Sequence, residues 1–418
     1  MDKLRIVGRK RLTGSVTIGG AKNAALPAMA ASLLTNEPIT LTNVPDVWDV
    51  GTMRRLLLRL GTHVVQPSLD EITLTTARLA SDEAPYELVK TMRASVLVLG
   101  PLLARNGRAR VSLPGGCAIG ARPINEHIRG LEMLGAKVSL EHGFIDAKTE
   151  GLSGATIRFG TVSVGGTENL MMAACLARGE TVLENCAREP EIEDLAELLA
   201  RMGASIEGAG TERIRVHGVD RLHGARHRIV PDRIEAGTYL IAGALMGDDV
   251  RITECRPSHL GALTDILDRI GVSLVIGEDS LSVRAADDDL VSIEVETAPY
   301  PLFPTDMQAQ LMALLTQARG TSRLSETIFE NRFMHASELA RLGARIELRG
   351  NRAIVHGPTP LAGTNVMATD LRASASLVLA GLVAEGETLI DRVYHLDRGY
   401  EHIEEKMAGL GAEVERFA

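Results

Sequence analysis

Hydrophobic and polar residues follow the same order six times along the chain. In each copy an apolar segment with helical spacing ends at a glycine, and a short polar stretch then leads into β-branched or apolar residues. The six glycines are Gly61, Gly135, Gly203, Gly271, Gly343 and Gly411. Successive glycines are 74, 68, 68, 72 and 68 residues apart. So regular a period indicates internal repetition.

Two further elements precede each glycine. A tight turn enters a strand about 24 residues upstream, at positions 36, 106, 178, 247, 319 and 385. A segment with helical spacing lies before each turn, and these segments are 24–34, 93–104, 169–177, 237–246, 307–318 and 372–384. Each copy therefore predicts a helix, a strand, a helix with a glycine cap and a further strand. The repeating unit is an α/β module rather than a solenoid turn.

The length of the chain predicts more than one domain. A chain of 418 residues is too long for one ordinary hydrophobic core. Six modules of similar length divide most simply into two domains of three. The start of the fourth module, around Arg228 to Arg233, is the best candidate for the crossover between them.

Composition excludes several classes of protein. With 45% hydrophobic residues, 24% charged residues and a net charge of −9, the chain has the profile of a soluble globule. The N-terminal segment lacks the apolar core of a signal peptide, and no apolar run approaches the roughly 20 residues that span a bilayer. The acidic balance and 3% aromatic content argue against nucleic-acid binding. We therefore expect a cytoplasmic protein with reduced thiols.

Charged and polar side chains concentrate where the first helix of each module begins. Arg93 in TMRAS and Arg372 in DLRAS occupy the same turn of two modules. The other helix starts carry Lys22, Asn23, Glu168, Asn169, Arg233, Glu235 and Asp306. Because helix N-termini attract anions, we expect an anionic substrate if two lobes face each other through these ends. Plain helix capping with surface charge is the alternative for each residue.

The segment SLPGGCAIGARP, residues 112–123, is the sharpest single motif. Its glycines and prolines describe a loop, so Cys117 is a candidate reactive thiol. Arg122 could lower the pKa of that thiol and grip a phosphate or carboxylate. An inert, exposed thiol is the alternative. Cys175, within an apolar segment, is expected to pack in the core.

The remaining candidates are ambiguous from the sequence. Lys22 follows two glycines, but Asn23 breaks the phosphate-loop pattern of nucleoside triphosphatases. Asp306 opens an apolar helix, so capping and catalysis are both compatible with its position. Arg398 lies just ahead of the last helix and could be either a binding residue or an ordinary surface charge. The histidines and the four cysteines show neither zinc-site spacing nor a disulfide framework.

At these positions the chain resembles the UDP-N-acetylglucosamine enolpyruvyltransferases, a 1-carboxyvinyltransferase family of the EPSP synthase superfamily. The strings that carry the resemblance cover nearly the whole chain and include GGAKNAALPA, LPGGCAIGARP, PDRIEAGT, FPTDMQAQ, ENRFMHASEL, DLRASASLVLAG and DRGYEHIEEK. The resemblance implies an α/β fold: a two-lobed inside-out α/β barrel of six β-α-β-α-β-β repeats, three per lobe. One lobe would comprise residues 22–229, and the other 1–21 with 230–418.

The resemblance also implies an activity. The enolpyruvyl group of phosphoenolpyruvate would move to the 3-hydroxyl of UDP-N-acetylglucosamine with release of phosphate, the first committed step of peptidoglycan biosynthesis. No metal, organic cofactor, nucleic acid or membrane insertion is implied. Such an addition and elimination needs an acid, a base and cations. Cys117 would be the acid, a possible site of a covalent adduct and the target of fosfomycin, and Asp306 would lie at the sugar hydroxyl.

The remaining site residues are likewise implied by the resemblance. The phosphoenolpyruvate contacts would be Lys22, Asn23, Arg122, Arg332, Arg372 and Arg398. The nucleotide-sugar contacts would be Asn23, Arg93, Arg122, Pro123, Ile124, Asn125, Glu126, His127, Thr161, Val162, Ser163, Val164, Gly165, Asp306 and Ile328. Asp370, Arg233 and Glu235 would support the site. Lobe closure, with the Cys117 loop as a lid, would exclude water.

One departure from the family and two rival functions stay open. Asp46 and Trp48 stand where some members carry lysines, which puts a cationic contact there in doubt. The shikimate enolpyruvyltransferases share the implied fold and donor. A catalytically inactive binding paralogue is the rival from a different class. The LPGGC loop argues against the first rival, and the intact set Lys22, Cys117, Asp306 and Arg398 argues against the second.

Overall fold

The computed structural model describes residues 2–113, 124–285 and 290–417. Its strands, numbered along the chain, are β1 (Lys3–Val7), β2 (Leu12–Thr17), β3 (Ile39–Thr42), β4 (His63–Ser68), β5 (Glu71–Thr75), β6 (Glu83–Ala84), β7 (Arg108–Ser112), β8 (Lys137–Glu141), β9 (Phe144–Lys148), β10 (Thr156–Arg158), β11 (Glu180–Glu184), β12 (Ser205–Glu207), β13 (Arg213–His217), β14 (Ala225–Arg228), β15 (Gly247–Thr253), β16 (Leu274–Ile276), β17 (Ser280–Val283), β18 (Glu294–Glu296), β19 (Gly320–Ser325), β20 (Arg345–Arg349), β21 (Arg352–Gly357), β22 (Asn365–Met367), β23 (Glu387–Asp391) and β24 (Glu413–Phe417).

The helices alternate with these strands. The α-helices are α1 (Lys22–Ala31), α2 (Trp48–Leu60), α3 (Tyr86–Val89), α4 (Leu99–Asn106), α5 (Asn125–Met133), α6 (Val164–Ala174), α7 (Pro190–Arg201), α8 (Arg233–Met246), α9 (Gly261–Ile270), α10 (Gln308–Leu315), α11 (His335–Arg341), α12 (Leu371–Val383) and α13 (Ile403–Gly409). Short 3₁₀ segments are Ser32–Leu34, Arg93–Val98, Pro257–Leu260, Thr305–Met307 and Val393–Arg398.

The repeated glycines end the second helix of every module, as the pattern predicts. Their φ angles all lie between 91° and 106°. This left-handed conformation is strained for residues with a Cβ atom, and it turns the chain out of the helix. The predicted six-fold repetition is therefore confirmed by backbone geometry.

The first helix of each module also lies where the pattern predicts it, but its start was harder to predict. Helix α6 begins at Val164, five residues before the predicted start. Ser163 caps it, with its Oγ accepting a hydrogen bond from the Gly166 N–H at 3.1 Å. The segment 93–104 divides into a 3₁₀ segment and α4. These helices are apolar on nearly every face, so their hydrophobic spacing does not mark an end.

Within the described residues the strands form six sheets of four strands each. Their orders are β14-β3-β5-β4, β6-β7-β9-β8, β10-β11-β13-β12, β16-β17-β15-β2, β18-β19-β21-β20 and β22-β23-β1-β24. In each sheet one edge strand is parallel to the strand that follows the first helix, and the other pairs are antiparallel. The hydrophobic pattern predicted only two of the four strands, and the resemblance to the family implied all four.

The N-terminal segment completes two sheets whose other strands come from later in the chain. Strand β1 lies between β23 and β24, with Leu4 opposite Ile390. Strand β2 runs parallel to β15, with Val16 opposite Ile252. The sheet of the first module is completed by a strand from much later in the chain, because β14 pairs with β3.

The described chain separates into two compact units. We call residues 20–113 with 124–230 the first unit, and residues 2–19 with the described part of 231–417 the second unit. In the first unit α1, α4 and α6 lie in the core, and in the second unit α8, α10 and α12 do so. The candidate site residues lie mainly at the N-termini of these buried helices. No helix within the described ranges is long and apolar enough to span a membrane.

Candidate active site

Asp306 lies in the second unit, where a 3₁₀ turn leads into α10. Its Oδ1 accepts a hydrogen bond from Arg332 Nη2 at 2.8 Å, and its Oδ2 accepts one from Arg372 Nη2 at 3.2 Å. Both arginine side chains are only 4% exposed, whereas Asp306 is 27% exposed. Two buried guanidinium groups thus hold a carboxylate that solvent still reaches.

Asp306 does not cap a helix. The residue before its 3₁₀ turn is Pro304, and that turn has no side-chain cap. Asp370 does act as a cap, because its Oδ1 accepts hydrogen bonds from the N–H groups of Arg372 at 2.9 Å and Ala373 at 3.1 Å. The cap fixes the first turn of α12 and with it the backbone of Arg372.

The two arginines retain hydrogen-bonding capacity. Their Nη1 groups are buried and have no acceptor within the described part of the chain. Burial alone would lower the pKa of Arg372, but Asp306, Tyr400 and Asp232 together outweigh burial and raise it. Because buried donors are rarely left unpaired, these two groups are suited to an anionic ligand.

Glu326 organises the loop beside this cluster, and sequence analysis missed it. Its buried carboxylate accepts hydrogen bonds from Thr305 Oγ1 at 2.8 Å and from the Ile328 N–H at 2.8 Å. It also accepts hydrogen bonds from Thr297 Oγ1 and from the N–H of Phe329. Glu326 therefore ties Ile328 to the residue that precedes Asp306. An acidic residue at the end of a strand was the only available signal.

Arg398 ends the 3₁₀ segment Val393–Arg398 and is half-buried. A Cβ at the next position, Gly399, would lie only 2.7 Å from Leu371 Cδ2. The chain after Arg398 therefore passes directly over the first residue of α12. This close approach brings Arg398 to the helix start that carries Arg372.

The supporting residues at the start of α8 have structural partners. Glu235 is buried, with Oε1 2.7 Å from Lys406 Nζ and Oε2 accepting a hydrogen bond from the Gly19 N–H at 2.9 Å. Burial raises the pKa of Glu235, with the Lys406 ammonium opposing the shift. The Arg233 guanidinium lies 5.4 Å from the ring centre of Tyr300. Both side chains thus anchor α8 within the second unit.

Lys22 lies in the first unit, at the first residue of α1. Its Nζ is 3.1 Å from Asp49 Oδ2, and the two side chains are 10% and 6% exposed. The neighbouring Asp46 and Trp48, which depart from the family pattern in the sequence, are exposed, whereas Asp49 is buried. The buried partner could be recognised only once α2 was placed beside α1.

Helix α5 carries several of the predicted nucleotide-sugar residues. Ile124 precedes the helix and is buried, whereas Asn125 is exposed. Glu126 joins α5 to the segment before α6, with Oε1 accepting from the Gly160 N–H at 3.1 Å and Oε2 2.5 Å from Arg129 Nη2. Beyond Gly160 lie the predicted residues Thr161, Val162, Ser163, Val164 and Gly165, of which the first two are exposed.

His127 is buried on the same helix and uncharged at neutral pH. Its pKa is lowered to about 4, chiefly by burial and further by Arg93, whereas Glu126 opposes the shift. Arg93 begins a 3₁₀ segment and is half-buried. In this group the cation is therefore the arginine, and the imidazole is a neutral hydrogen-bonding group.

The burial of His127 predicts a pH-dependent stability. The unfolded chain protonates this histidine below about pH 6.5, but the folded chain does so only near pH 4, so acid favours unfolding between these values. Replacing His127 by Gln should reduce the loss of unfolding free energy between pH 7 and pH 5 by about 1–2 kcal/mol. Urea denaturation at both pH values measures this. The exposed His63→Gln variant is the control, and an unchanged pH dependence in His127→Gln would contradict the assignment.

Three predicted site residues, Cys117, Arg122 and Pro123, lie outside the described residues, so their roles stay predictions. Asn23 lies in α1 next to Lys22 and is half-buried. Among the described residues, each unit contains a group of predicted site residues. One contains Asp306, Arg332 and Arg372, and the other contains the residues around His127.

Known proteins are similar to this chain over nearly its whole length. The family model described as EPSP synthase (3-phosphoshikimate 1-carboxyvinyltransferase) matches residues 6–407. A UDP-N-acetylglucosamine 1-carboxyvinyltransferase from Koribacter versatilis (strain Ellin345) is 61% identical over 420 residues, covering 100% of this chain and 97% of the relative. The solved enolpyruvyl transferase NikO from Streptomyces tendae has a TM-score of 0.90 and 29% identity, covering 99% of this chain and 98% of its own.

A more distant structure supports the fold alone. The EPSP synthase from Acinetobacter baumannii has a TM-score of 0.76 at 19% identity, covering 100% of both chains. Together with the six four-stranded sheets of the described residues, these likenesses confirm the α/β enolpyruvyltransferase fold predicted from the sequence.

Proposed function

The chain belongs to the EPSP synthase (3-phosphoshikimate 1-carboxyvinyltransferase) family, and from this premise we propose that it transfers the enolpyruvyl group of phosphoenolpyruvate to UDP-N-acetylglucosamine. The acceptor is the 3-hydroxyl of the sugar, and phosphate is released. The acceptor follows from the name of the relative that is 61% identical over the whole chain. The reaction would serve peptidoglycan biosynthesis in the cytoplasm, and through it cell shape and division.

The reaction requires two proton transfers at the donor. The sugar oxygen bonds to C2 of phosphoenolpyruvate while C3 gains a proton and the hydroxyl loses one. The bond from C2 to the phosphate oxygen then breaks as C3 loses a proton, which restores the double bond. A general acid, a general base and cations that bind phosphate and carboxylate are the groups that such a sequence needs.

Asp306 supports this function most directly. Its carboxylate is partly exposed and accepts hydrogen bonds from two buried guanidinium groups, whose Nη1 atoms have no acceptor among the described residues. Asp306 would take the proton of the sugar hydroxyl, and Arg332 and Arg372 would bind the anionic donor. Asp370 would hold Arg372 in place through its helix cap.

The other roles rest on the family motifs. Lys22, Arg122 and Arg398, with Asn23 beside Lys22, would bind phosphoenolpyruvate, and Cys117 would protonate C3. Arg93, the segment 122–127, the segment 161–165 and Ile328 would bind the nucleotide sugar. The start of α6 supports this assignment, because helix N-termini bind anions such as a diphosphate. Arg233 and Glu235 would support the site indirectly, by holding α8 in place.

A phosphate-release assay tests the function. We expect release that requires both phosphoenolpyruvate and UDP-N-acetylglucosamine. Turnover only with shikimate 3-phosphate as acceptor would select the other enolpyruvyltransferase activity. No turnover with either acceptor, together with measurable ligand binding, would select the inactive binding protein.

The cysteines predict a single site of alkylation by fosfomycin. The thiolate sulfur of Cys117 would bond to an epoxide carbon, and the cleaved C–O bond would leave a hydroxyl after protonation. Burial raises the pKa of Cys175 and of Cys186 to about 12, and burial also raises the pKa of Cys255. Because thiolates are the nucleophiles, these three thiols should stay unmodified in the folded protein.

Intact-mass analysis and peptide mapping check this prediction. We expect one adduct, located at Cys117, and none in a Cys117→Asp variant that still turns over. An adduct on a buried cysteine of the folded protein would contradict the assignment. A folded Cys117→Asp variant without activity would count against proton donation by this residue.

A further inference from the structure

Asn169 is a completely buried amide in α6, and its hydrogen-bonding partners among the described residues lie in the first unit. Its Oδ1 accepts a hydrogen bond from the Gly100 N–H at 2.7 Å. Its Nδ2 donates to the Val96 carbonyl oxygen at 3.3 Å and lies 2.8 Å from Nδ1 of His127. The amide therefore connects α6 to the imidazole of His127, which is a predicted nucleotide-sugar residue.

The backbone partners determine which way this amide points. A backbone N–H can only donate, so the atom facing Gly100 must be the amide oxygen. A carbonyl oxygen can only accept, so the atom facing Val96 must be the amide nitrogen. That nitrogen has a second proton to donate, and the His127 Nδ1 is its acceptor. A neutral imidazole that accepts at Nδ1 carries its proton on Nε2.

The Nε2 atom of His127 lies at the start of α6. It is 3.6 Å from the position that a Cβ on Gly165 would occupy, and Cε1 of the same ring is 3.5 Å from it. The hydrogen bond that the described residues make to this ring is at Nδ1. The donor thus lies next to a predicted nucleotide-sugar residue at a helix N-terminus.

We propose that Asn169 is a positioning residue that holds His127 in its Nε2–H tautomer, so that the imidazole donates a hydrogen bond to an acceptor oxygen of the UDP-sugar at the start of α6. The inference rests on the proposed function. It differs from a simple packing role because it specifies a protonation state. Burial of His127 and the nearby Arg93 keep the ring neutral against the opposing effect of Glu126, and a neutral ring is the state in which tautomers differ.

Asn169→Asp tests this inference with a nearly isosteric change. Ionised aspartate still accepts from Gly100 but cannot donate to Nδ1, so a hydrogen bond between it and His127 requires a proton on Nδ1. We expect long-range ¹H–¹⁵N spectra to show His127 protonated at Nε2 in the parent and at Nδ1 in the variant. We expect the KM for UDP-N-acetylglucosamine to rise about tenfold, which corresponds to one lost hydrogen bond, with little change in the KM for phosphoenolpyruvate.

A double-mutant cycle separates positioning from packing. His127→Gln identifies the His127 resonances, and in that background Asn169→Asp should cause little further loss of UDP-N-acetylglucosamine affinity. An equal loss in both backgrounds would overturn the inference, as would an Nδ1–H tautomer in the parent. The tautomer of His127 in the parent protein is measured directly, so this part of the test depends neither on the folding of a variant nor on enzyme activity. An unchanged KM in a folded, active Asn169→Asp variant would reject the inference while leaving the proposed function intact.

Discussion

Replacing Asp306 by Asn should lower turnover by about 10²–10⁴-fold, the usual contribution of a general acid or base. An amide cannot take the proton of the sugar hydroxyl. It also presents an N–H donor to one of the two guanidinium groups that now share the carboxylate. The residue is partly exposed, so we expect the protein to stay folded. Steady-state phosphate release, with both substrates varied, measures the effect.

The expected signature is a loss in kcat that exceeds any change in KM, because the interaction develops in the transition state. Asp265→Asn is the matched control, since it makes the same change at an exposed position of the second unit, and it should keep the parent's kcat. A folded Asp306→Asn enzyme with kcat within tenfold of the parent would refute the role of Asp306 as the base.

Replacing Lys22 by Met should have the second large effect, on both stability and turnover. The substitution leaves the buried Asp49 carboxylate without this ammonium, and breaking a buried ion pair costs about 3–5 kcal/mol. Loss of a cation that stabilises developing phosphate charge should also lower kcat/KM by about 10²–10³-fold. Chemical denaturation and the phosphate-release assay measure the two losses separately.

A second substitution distinguishes the structural role of Lys22 from its catalytic role. Lys22→Met combined with Asp49→Leu replaces the ion pair by apolar residues, which is often neutral or stabilising. We expect the double variant to recover most of the lost stability and none of the lost turnover. Recovery of turnover along with stability would show that Lys22 only anchors α2 to α1.

Local patterns were sufficient to predict the modules and most of the site's residue types. The six glycines are apparent in the sequence because a left-handed cap is a property of a few consecutive residues. Cys175 was predicted as a core residue, and it is completely buried. The start of α6 was missed because its first turns contain two glycines, which lower helix propensity, and the apolar run begins only at Leu170.

The roles that were missed share one physical property, which is that they depend on partners distant in sequence. Asp49 and Glu326 were not predicted at all, and Asn169 was predicted only as one of the polar residues at a helix start. All three are buried polar side chains. Nothing near Asn169 in the sequence indicates that His127, 42 residues away, accepts its hydrogen bond. Burial makes such groups costly unless they are paired, but the pairing itself is established only in three dimensions.

The amino-acid order alone determined the repeat, the α/β modules and the family, because helical and strand spacing and the local motifs are properties of short segments. Tertiary structure decided how the charged groups are paired. Asp306 meets Arg332 and Arg372, which are 26 and 66 residues away, only because three chain segments converge in the second unit. The strength of that contact comes from the burial of both guanidinium groups, a property that no local pattern encodes.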